Sequence, residues 1–185
     1  MNERIKKEIE ESIKLKKILL KEEKIEKLKS ASLIIKSALK KNKKILLCGN
    51  GGSAADCQHF AGEMVGRFKK ERKALPFISL TTNTSILTSV GNDYSFKRVF
   101  ERQVEGIGRK GDVLICFSTS GRSENVILAA KKGKEIGMEV ISFTGKIPNP
   151  LAKISDITLS VPSTETPRIQ EVHLLMYHII CSLIE

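Results

Sequence analysis

Hydrophobic residues follow one pattern up to about residue 44 and a different pattern after it. Residues 3–29 are rich in Lys, Glu, Ile and Leu and contain neither Gly nor Pro, a composition that favours helix. Their apolar residues form an imperfect helical stripe, and residues 31–41 continue it. We therefore expect one or two N-terminal helices over residues 1–44.

From residue 45 the hydrophobic residues gather into short runs. Most runs are nearly continuous rather than alternating, which is typical of strands buried on both faces of a sheet. The predicted strands are 45–49, 76–82, 112–120, 138–145 and 157–162. The predicted helices are 53–70, 83–91, 95–108, 123–136, 148–153 and 166–184.

Alternating strands and helices predict an α/β fold with a parallel sheet and helices on both of its faces. The sequence contains no internal repeat, low-complexity tract or interdomain linker. We expect residues 1–185 to form one domain, in which the 1–44 helical segment precedes a 45–185 α/β core.

Composition and charge narrow the function classes. The chain has 185 residues, of which 41% are hydrophobic, enough for a sizeable core. Its net charge of +11 is concentrated in residues 1–44, which carry +8, while the remainder carries only +3. This distribution is typical of solvated helix faces, and aromatic residues for base stacking are few, so we expect no nucleic-acid partner.

The sequence also predicts the protein's location. No apolar run approaches the length of about 18 residues that a membrane span needs, and the charged N-terminal stretch lacks the apolar segment of a signal peptide. The four cysteines form no C-x-x-C pair and indicate neither a disulfide framework nor an all-cysteine zinc site. We expect a cytoplasmic protein without a membrane partner.

Two predicted strands end in small polar residues and glycines. GNGGS (49–53) and FSTSGRS (117–123) each lead from a strand into a helix. Ligands of open parallel sheets bind beyond the carboxyl ends of the strands, and a helix start with free N–H groups and hydroxyls can bind an anion. Capping would explain one serine, but the second loop has four hydroxyls within six residues, so we favour phosphate binding. No Walker motif is present.

Two groups of metal-ligating residue types occur in predicted helices. His59 and Glu63 are four residues apart, on one helix face. Gln170, His173 and His178 interrupt the apolar C-terminal helix. A solvated pair and a few buried hydrogen-bonding residues would be the plain interpretation. The alternative is one site in which imidazole, carboxylate and amide groups hold a divalent metal such as zinc.

Helix geometry limits such a site. Gln170 and His178 lie about 12 Å apart along a helix axis and about 80° apart around it. One ion between them would need both side chains fully extended, unless another subunit supplies a ligand. We therefore expect an oligomer with the site at an interface.

Four segments together resemble the sugar isomerase (SIS) domain proteins, and among them the phosphoheptose isomerase family. They are CGNGGSAADCQHFAGEMVGRF (48–68), TSVGNDYSF (88–96), GDVLICFSTSGRSENV (111–126) and TPRIQEVHLLMYHIICSLIE (166–185). The resemblance implies an SIS-type three-layer sandwich with a five-stranded parallel sheet. It also implies a ketose-aldose isomerase that converts sedoheptulose 7-phosphate to D-glycero-D-manno-heptose 7-phosphate for lipopolysaccharide or capsule.

The resemblance also implies roles for individual residues. It makes Glu63 the catalytic base and His178 the catalytic acid. His173 is then either a structural hydrogen-bonding residue or a group that reaches a neighbouring subunit's site, and we favour the structural role. It implies one zinc ion per subunit in a homotetramer whose sites lie between subunits. The implied zinc ligands are His59, Glu63, Gln170 and His178. The implied substrate-binding residues are Asn50, Gly51, Gly52, Glu63, Arg67, Asn92, Asp93, Ser118, Thr119, Ser120, Ser123 and Gln170.

Two related classes fit the residues less well. A non-catalytic SIS tetramer that associates with the replication initiator shares the loops and the RIQE helix. That class lacks the residues matching Glu63 and His178, both of which are present here. Sugar-phosphate-sensing transcription regulators add a helix-turn-helix module, for which the Lys/Glu-repetitive segment 1–44 is too short.

Overall fold

A five-stranded parallel sheet forms the centre of the protein, as the sequence predicts. The computed structural model describes residues 1–185. The strands are β1 Ile45–Cys48, β2 Phe77–Ser79, β3 Val113–Ser118, β4 Glu139–Thr144 and β5 Ile157–Ser160, arranged in the order β2-β1-β3-β4-β5. All neighbours pair in parallel.

The strand order reverses between β1 and β3. The chain moves outward from β1 to β2, then returns to the other side of β1 to form β3. Cys48 pairs with Cys116 across this point, so the loops that follow β1 and β3 leave the same edge of the sheet side by side. An open parallel sheet binds its ligands at such a reversal.

Eight α-helices surround the sheet. They are α1 Asn2–Lys17, α2 Glu22–Lys40, α3 Gly52–Val65, α4 Thr84–Asp93, α5 Val99–Ile107, α6 Glu124–Ile136, α7 Pro150–Ile154 and α8 Thr166–Ile184. None of them is both long and apolar enough to span a membrane.

The helices form a layer on each face of the sheet, which makes the predicted three-layer sandwich. Side chains alternate between the faces along each strand. Ile45 and Leu47 enter a core shared with α2, α3 and α8. Leu46 and Cys48 enter a second core shared with α4, α5, α6 and α7.

The N-terminal segment forms two helices, within the one or two expected, but the sequence pattern does not predict where the break between them falls. The predicted 3–29 helix ends at Lys17, a short 3₁₀ turn follows, and Lys21 is extended with ψ 135° before α2 begins. The break turns Leu19 into the core, whereas α1 buries none of its residues. Helix propensity alone favours a continuous helix, so tertiary packing causes the break.

Helix α3 ends five residues before the predicted boundary. It stops at Val65, and Gly66 adopts the non-helical angles φ −74° and ψ −117°. The irregular segment beyond it is held by the Glu185 carboxylate, which accepts hydrogen bonds of 2.8–3.0 Å from the N–H groups of residues 68–70. Arg72 forms an ion pair with the same carboxylate at 3.3 Å. These contacts replace the helical hydrogen bonds that a longer α3 would make.

Candidate active site

Helices α3 and α8 lie side by side and run in the same direction. Gly52, the first residue of α3, touches Gln170 near the start of α8. Seven residues further along α3, His59 contacts Tyr177 and His178 of α8. The contacts thus advance in step over about two helical turns, or about 10 Å. The helix pair therefore has two contact regions. The first, which we call the loop end, lies where both helices begin near the sheet edge, and the second lies about two turns further along.

Three metal-ligating side chains converge at that second region. The ligand atoms of His59, Glu63 and His178 all lie within 4.8 Å of one another. His59 Nε2 is 2.9 Å from Glu63 Oε1, and the two imidazole rings meet edge to face with centroids 5.0 Å apart. Two imidazoles and a carboxylate form a donor set that zinc uses in proteins.

His178 is held by aromatic packing and has a free ring nitrogen. Its ring lies between Phe68 and Tyr177, with centroid distances of 5.4 and 4.9 Å. Its Nε2 is buried without a hydrogen-bond partner. Burial lowers the His178 pKa, and the neighbouring His59 lowers it further. A neutral imidazole with an unpartnered nitrogen is suited to bind a metal or to contact a ligand.

His173 lies away from this cluster, in the core of the protein. It is fully buried, and its Nε2 lies 3.2 Å from the backbone oxygen of Thr144 in β4. A ring nitrogen can form this bond only as a donor. Burial lowers the His173 pKa to about 4, so the ring is neutral at physiological pH.

The hydroxyl-rich loop after β3 does not use its serines mainly for capping. Ser123 occupies the N-cap position of α6 but makes no capping bond; its hydroxyl lies 3.0 Å from that of Ser118. Ser120 accepts a hydrogen bond from the backbone N–H of Arg122. Gly121 has φ +63°, and a Cβ there would lie 2.1 Å from Asn149. These hydroxyls therefore gather at a helix start without capping it, and an anion is stabilised at such a position.

The glycine loop after β1 is tied to the hydroxyl loop. Asn50 and Asn125 exchange two side-chain hydrogen bonds of 2.8 and 2.9 Å, which tie the glycine loop to the first turn of α6, directly after the hydroxyl loop. Gly51 has φ +55°, a conformation that favours glycine. The two loops are thus joined at the edge of the sheet.

Gln170 belongs to the loop end of the helix pair rather than to the three-residue cluster. A Cβ on Gly52 would lie 2.3 Å from Gln170 Nε2, so the amide fits against the loop only because residue 52 is glycine. Within one chain, Gln170 therefore lies about two helical turns from His178.

Three of the predicted substrate-binding residues lie outside these two regions. Asn92 and Asp93 end α4, are exposed, and hydrogen-bond to each other at 2.9 Å. Arg67 is exposed beyond α3 and is 3.7 Å from Glu71. No hydrogen bond joins any of them to either loop.

The structure adds three residues that sequence reasoning missed. Asn125 pairs with Asn50, and Tyr177 Oη lies 2.8 Å from His59 Nδ1. Asp56, one helical turn before His59, is buried. Asp56 is three residues before His59 on the same helix, a spacing that could have marked it. Tyr177 is different, because only the packing of α3 on α8 brings it to His59.

Comparisons with known proteins agree with this fold. The sequence profile of the SIS domain family matches residues 10–145. A phosphoheptose isomerase of Clostridium acetobutylicum is 54% identical over 182 residues, covering 98% of this chain and 93% of that relative.

Two solved structures are also similar over nearly their whole length. The phosphoheptose isomerase of Neisseria gonorrhoeae superposes with a TM-score of 0.90 at 45% identity, covering 99% of this chain and 97% of that one. A phosphoheptose isomerase of Francisella tularensis gives a TM-score of 0.94 at 35% identity, covering 98% and 96%.

Proposed function

This chain belongs to the SIS domain family, within it to the phosphoheptose isomerases, and we propose that it converts sedoheptulose 7-phosphate to D-glycero-D-manno-heptose 7-phosphate. The product serves heptose biosynthesis for lipopolysaccharide or capsule. The observation that carries the proposal is the arrangement of two regions. Hydroxyls of the loop after β3 lie at the sheet edge where the helix pair begins, and a carboxylate and two imidazoles meet further along α3 and α8.

The loop end binds the sugar phosphate. Hydroxyls of Ser118, Thr119, Ser120 and Ser123 donate to the phosphate oxygens at the start of α6, where the helix dipole also favours an anion. On the other side of the strand-order reversal, the substrate contacts Asn50, Gly51, Gly52 and Gln170. Arg67, Asn92 and Asp93 complete the contacts once subunits assemble.

Glu63 transfers the carbon-bound proton. Converting a 2-ketose into an aldose removes a proton from C1 and returns one to C2, through an enediol. Glu63 is partly buried beside His59, and its Oε1 faces the imidazole, which leaves Oε2 for the substrate. A carboxylate with one free oxygen is suited to carry the proton between the two carbons.

His178 transfers the oxygen-bound proton. The same conversion moves one proton from O1 to O2, and a neutral imidazole can donate one proton and accept another. The ring has two nitrogens, so one can hold the metal while the other transfers the proton. Glu63 and His178 therefore handle different protons of one reaction.

We propose zinc as the metal of the cluster, one ion per subunit. His59, Glu63 and His178 would hold it, and the unpartnered His178 Nε2 supports the fit. Bound zinc would polarise the substrate carbonyl. Because Gln170 lies two turns away in its own chain, the amide of a neighbouring subunit is our candidate for the fourth position.

We propose a homotetramer with the N-terminal helices at the interfaces. On α1, Ile5, Ile9 and Ile13 are each about half exposed. A recess of about 480 Å³ between the α1–α2 turn and α8 has seven hydrophobic lining residues, among them Leu20 and Leu183. Exposed apolar surface of this kind is typical of interaction sites, and a second copy of the chain would cover it.

We also propose a cytoplasmic location without nucleic-acid or membrane partners. All four cysteines are free, which is usual in a reducing compartment. The initiator-associating alternative gains no support from the relatives, and the presence of Glu63 and His178 argues against it.

A turnover assay with sedoheptulose 7-phosphate tests the proposal, run with and without a chelator and with zinc restored. We expect isomerisation by the unaltered protein and none above background by Glu63→Gln, which keeps the side-chain volume but loses the base. Glu105→Gln, on the exposed face of α5, is the matched control and should remain active. Activity of Glu63→Gln within a few-fold of the unaltered protein would remove Glu63 from the mechanism.

A further inference from the structure

The Tyr177 hydroxyl lies between two groups of α3. It is 2.8 Å from Nδ1 of His59, the ring nitrogen that does not face Glu63. The other is the buried carboxylate of Asp56, one helical turn before His59 on α3. Yet Oδ2 of Asp56 is buried without a hydrogen-bond partner. The hydroxyl therefore has an established partner on one side and an unused acceptor nearby.

Packing fixes the position of this hydroxyl. Tyr177 is fully buried, stacks on Phe60 with ring centroids 5.2 Å apart and an interplanar angle of 15°, and meets Phe117 and His178 edge to face. A side chain held on three sides keeps its polar atom in one place, as a group that orients a metal ligand must.

The hydrogen bonds determine which nitrogen of His59 carries a proton. An ionised carboxylate only accepts, so without metal the Nε2–H donates to Glu63 and Nδ1 accepts from Tyr177. A metal bound at Nε2 needs the lone pair there, which moves the ring proton to Nδ1. Tyr177 must then accept from Nδ1–H with its oxygen and turn its own proton elsewhere.

Asp56 provides the acceptor for that turned proton. A hydroxyl can donate and accept at once, so Nδ1–H to Tyr177 and Tyr177 to Asp56 form a continuous chain. Metal-bound histidines commonly donate their other N–H to a carboxylate or another oxygen, which orients the ring and fixes its tautomer. Here the chain would run through a tyrosine.

We propose that Tyr177 and Asp56 are positioning residues that hold His59 as the Nδ1–H tautomer and thereby favour metal binding at Nε2. The inference rests on the metal site of the proposed function. It requires neither residue to touch the substrate.

Zinc affinity, measured without substrate by competition with a chelator, tests the inference. Tyr177→Phe keeps the ring and removes only the hydroxyl, and Asp56→Ala removes the terminal acceptor. Each should weaken zinc binding about 10- to 100-fold, the range for losing such an outer partner. Because the two residues act in one chain of hydrogen bonds, their effects should not add. The double variant should bind zinc only slightly less tightly than the single variant with the lower affinity.

Controls separate positioning from folding. Tyr94→Phe removes the hydroxyl of an exposed tyrosine and should leave zinc affinity unchanged. Melting temperatures of the metal-free proteins show whether each variant folds. The chain has three histidines, so ¹⁵N NMR of the zinc-loaded protein can follow His59 directly. We expect a slowly exchanging Nδ1–H in the unaltered protein and a rapidly exchanging one in Tyr177→Phe.

The outcomes distinguish this inference from the function on which it rests. Equal zinc affinity of folded Tyr177→Phe and unaltered protein would overturn the inference alone. No zinc binding by the unaltered protein would overturn the metal site and the inference together. Zinc binding with the expected differences but without isomerase activity would support the inference and contradict the proposed function.

Discussion

His173 should make the protein less stable as the pH falls. In the folded protein burial lowers the His173 pKa from 6.5 to about 4, against the smaller opposing effect of its bond to Thr144. Above pH 6.5 the ring is neutral in both folded and unfolded chains, so it has no effect on the pH dependence. Between pH 6.5 and 4 only the unfolded chain binds the proton, so the free energy of unfolding decreases as the pH falls.

The size of the effect follows from the two pKa values. One pKa unit corresponds to about 1.4 kcal/mol, so the whole loss approaches about 3 kcal/mol below pH 4. Between pH 7.5 and 5.0 it amounts to about 2 kcal/mol. Asp56 has the opposite effect on the free energy of unfolding. Burial raises its pKa to about 6, so its protonation in the folded chain removes a buried charge and stabilises the protein as the pH falls. A variant comparison is needed to isolate His173.

Urea unfolding of the unaltered protein and of His173→Gln, at pH 7.5 and 5.0 and one protein concentration, makes that comparison. Glutamine keeps an N–H donor for Thr144 but does not titrate. Between the two pH values the unaltered protein should lose about 2 kcal/mol more than the variant. Identical pH dependence of the two proteins would refute the argument, because the contribution of Asp56 is common to both.

Other predictions concern the active site, the loops and the assembly. His178→Gln should lower kcat by at least about 100-fold, while His173→Gln stays within a few-fold at pH 7.5; the reverse order would exchange their roles. Ser120→Ala and Ser123→Ala should each weaken sugar-phosphate binding by about 1.5–3 kcal/mol in calorimetry, with little effect on kcat. Unchanged affinity in both would mean that the phosphate binds elsewhere. Glu185→Ala should speed hydrogen exchange at the three backbone amides that donate to this carboxylate. Unchanged exchange would show that residues 68–70 keep their structure without Glu185. Light scattering at micromolar concentration should give a tetramer, whereas a monomer would contradict the interface site.

The centre of the sheet was predictable because β1, β3 and β4 are buried on both faces over nearly their whole length. A continuous apolar run between turn residues, such as VLICFS, is typical of a buried strand in a parallel sheet, and all six of its residues are buried in β3. Helix boundaries were less predictable, because the break at Lys21 and the end of α3 depend on packing and on Glu185, far away in the sequence.

The candidate site was predictable only in part. Spacing brought His59 and Glu63 onto one helix face, but their approach to His178 depends on how α3 and α8 lie against each other. For the same reason no pattern marked Tyr177, which is one apolar-looking position of a largely apolar helix. Local rules predict which residues share an element, whereas contacts between elements require the packed chain.

The paired amides of Asn50 and Asn125 have a thermodynamic consequence for binding. Because they fasten the two loops to each other before any ligand arrives, the conformational entropy of ordering these loops is lost when the chain folds. A ligand then meets a preorganised surface, and most of its contact energy remains as affinity. Removing the pair with Asn125→Ala should make binding of the sugar phosphate entropically less favourable.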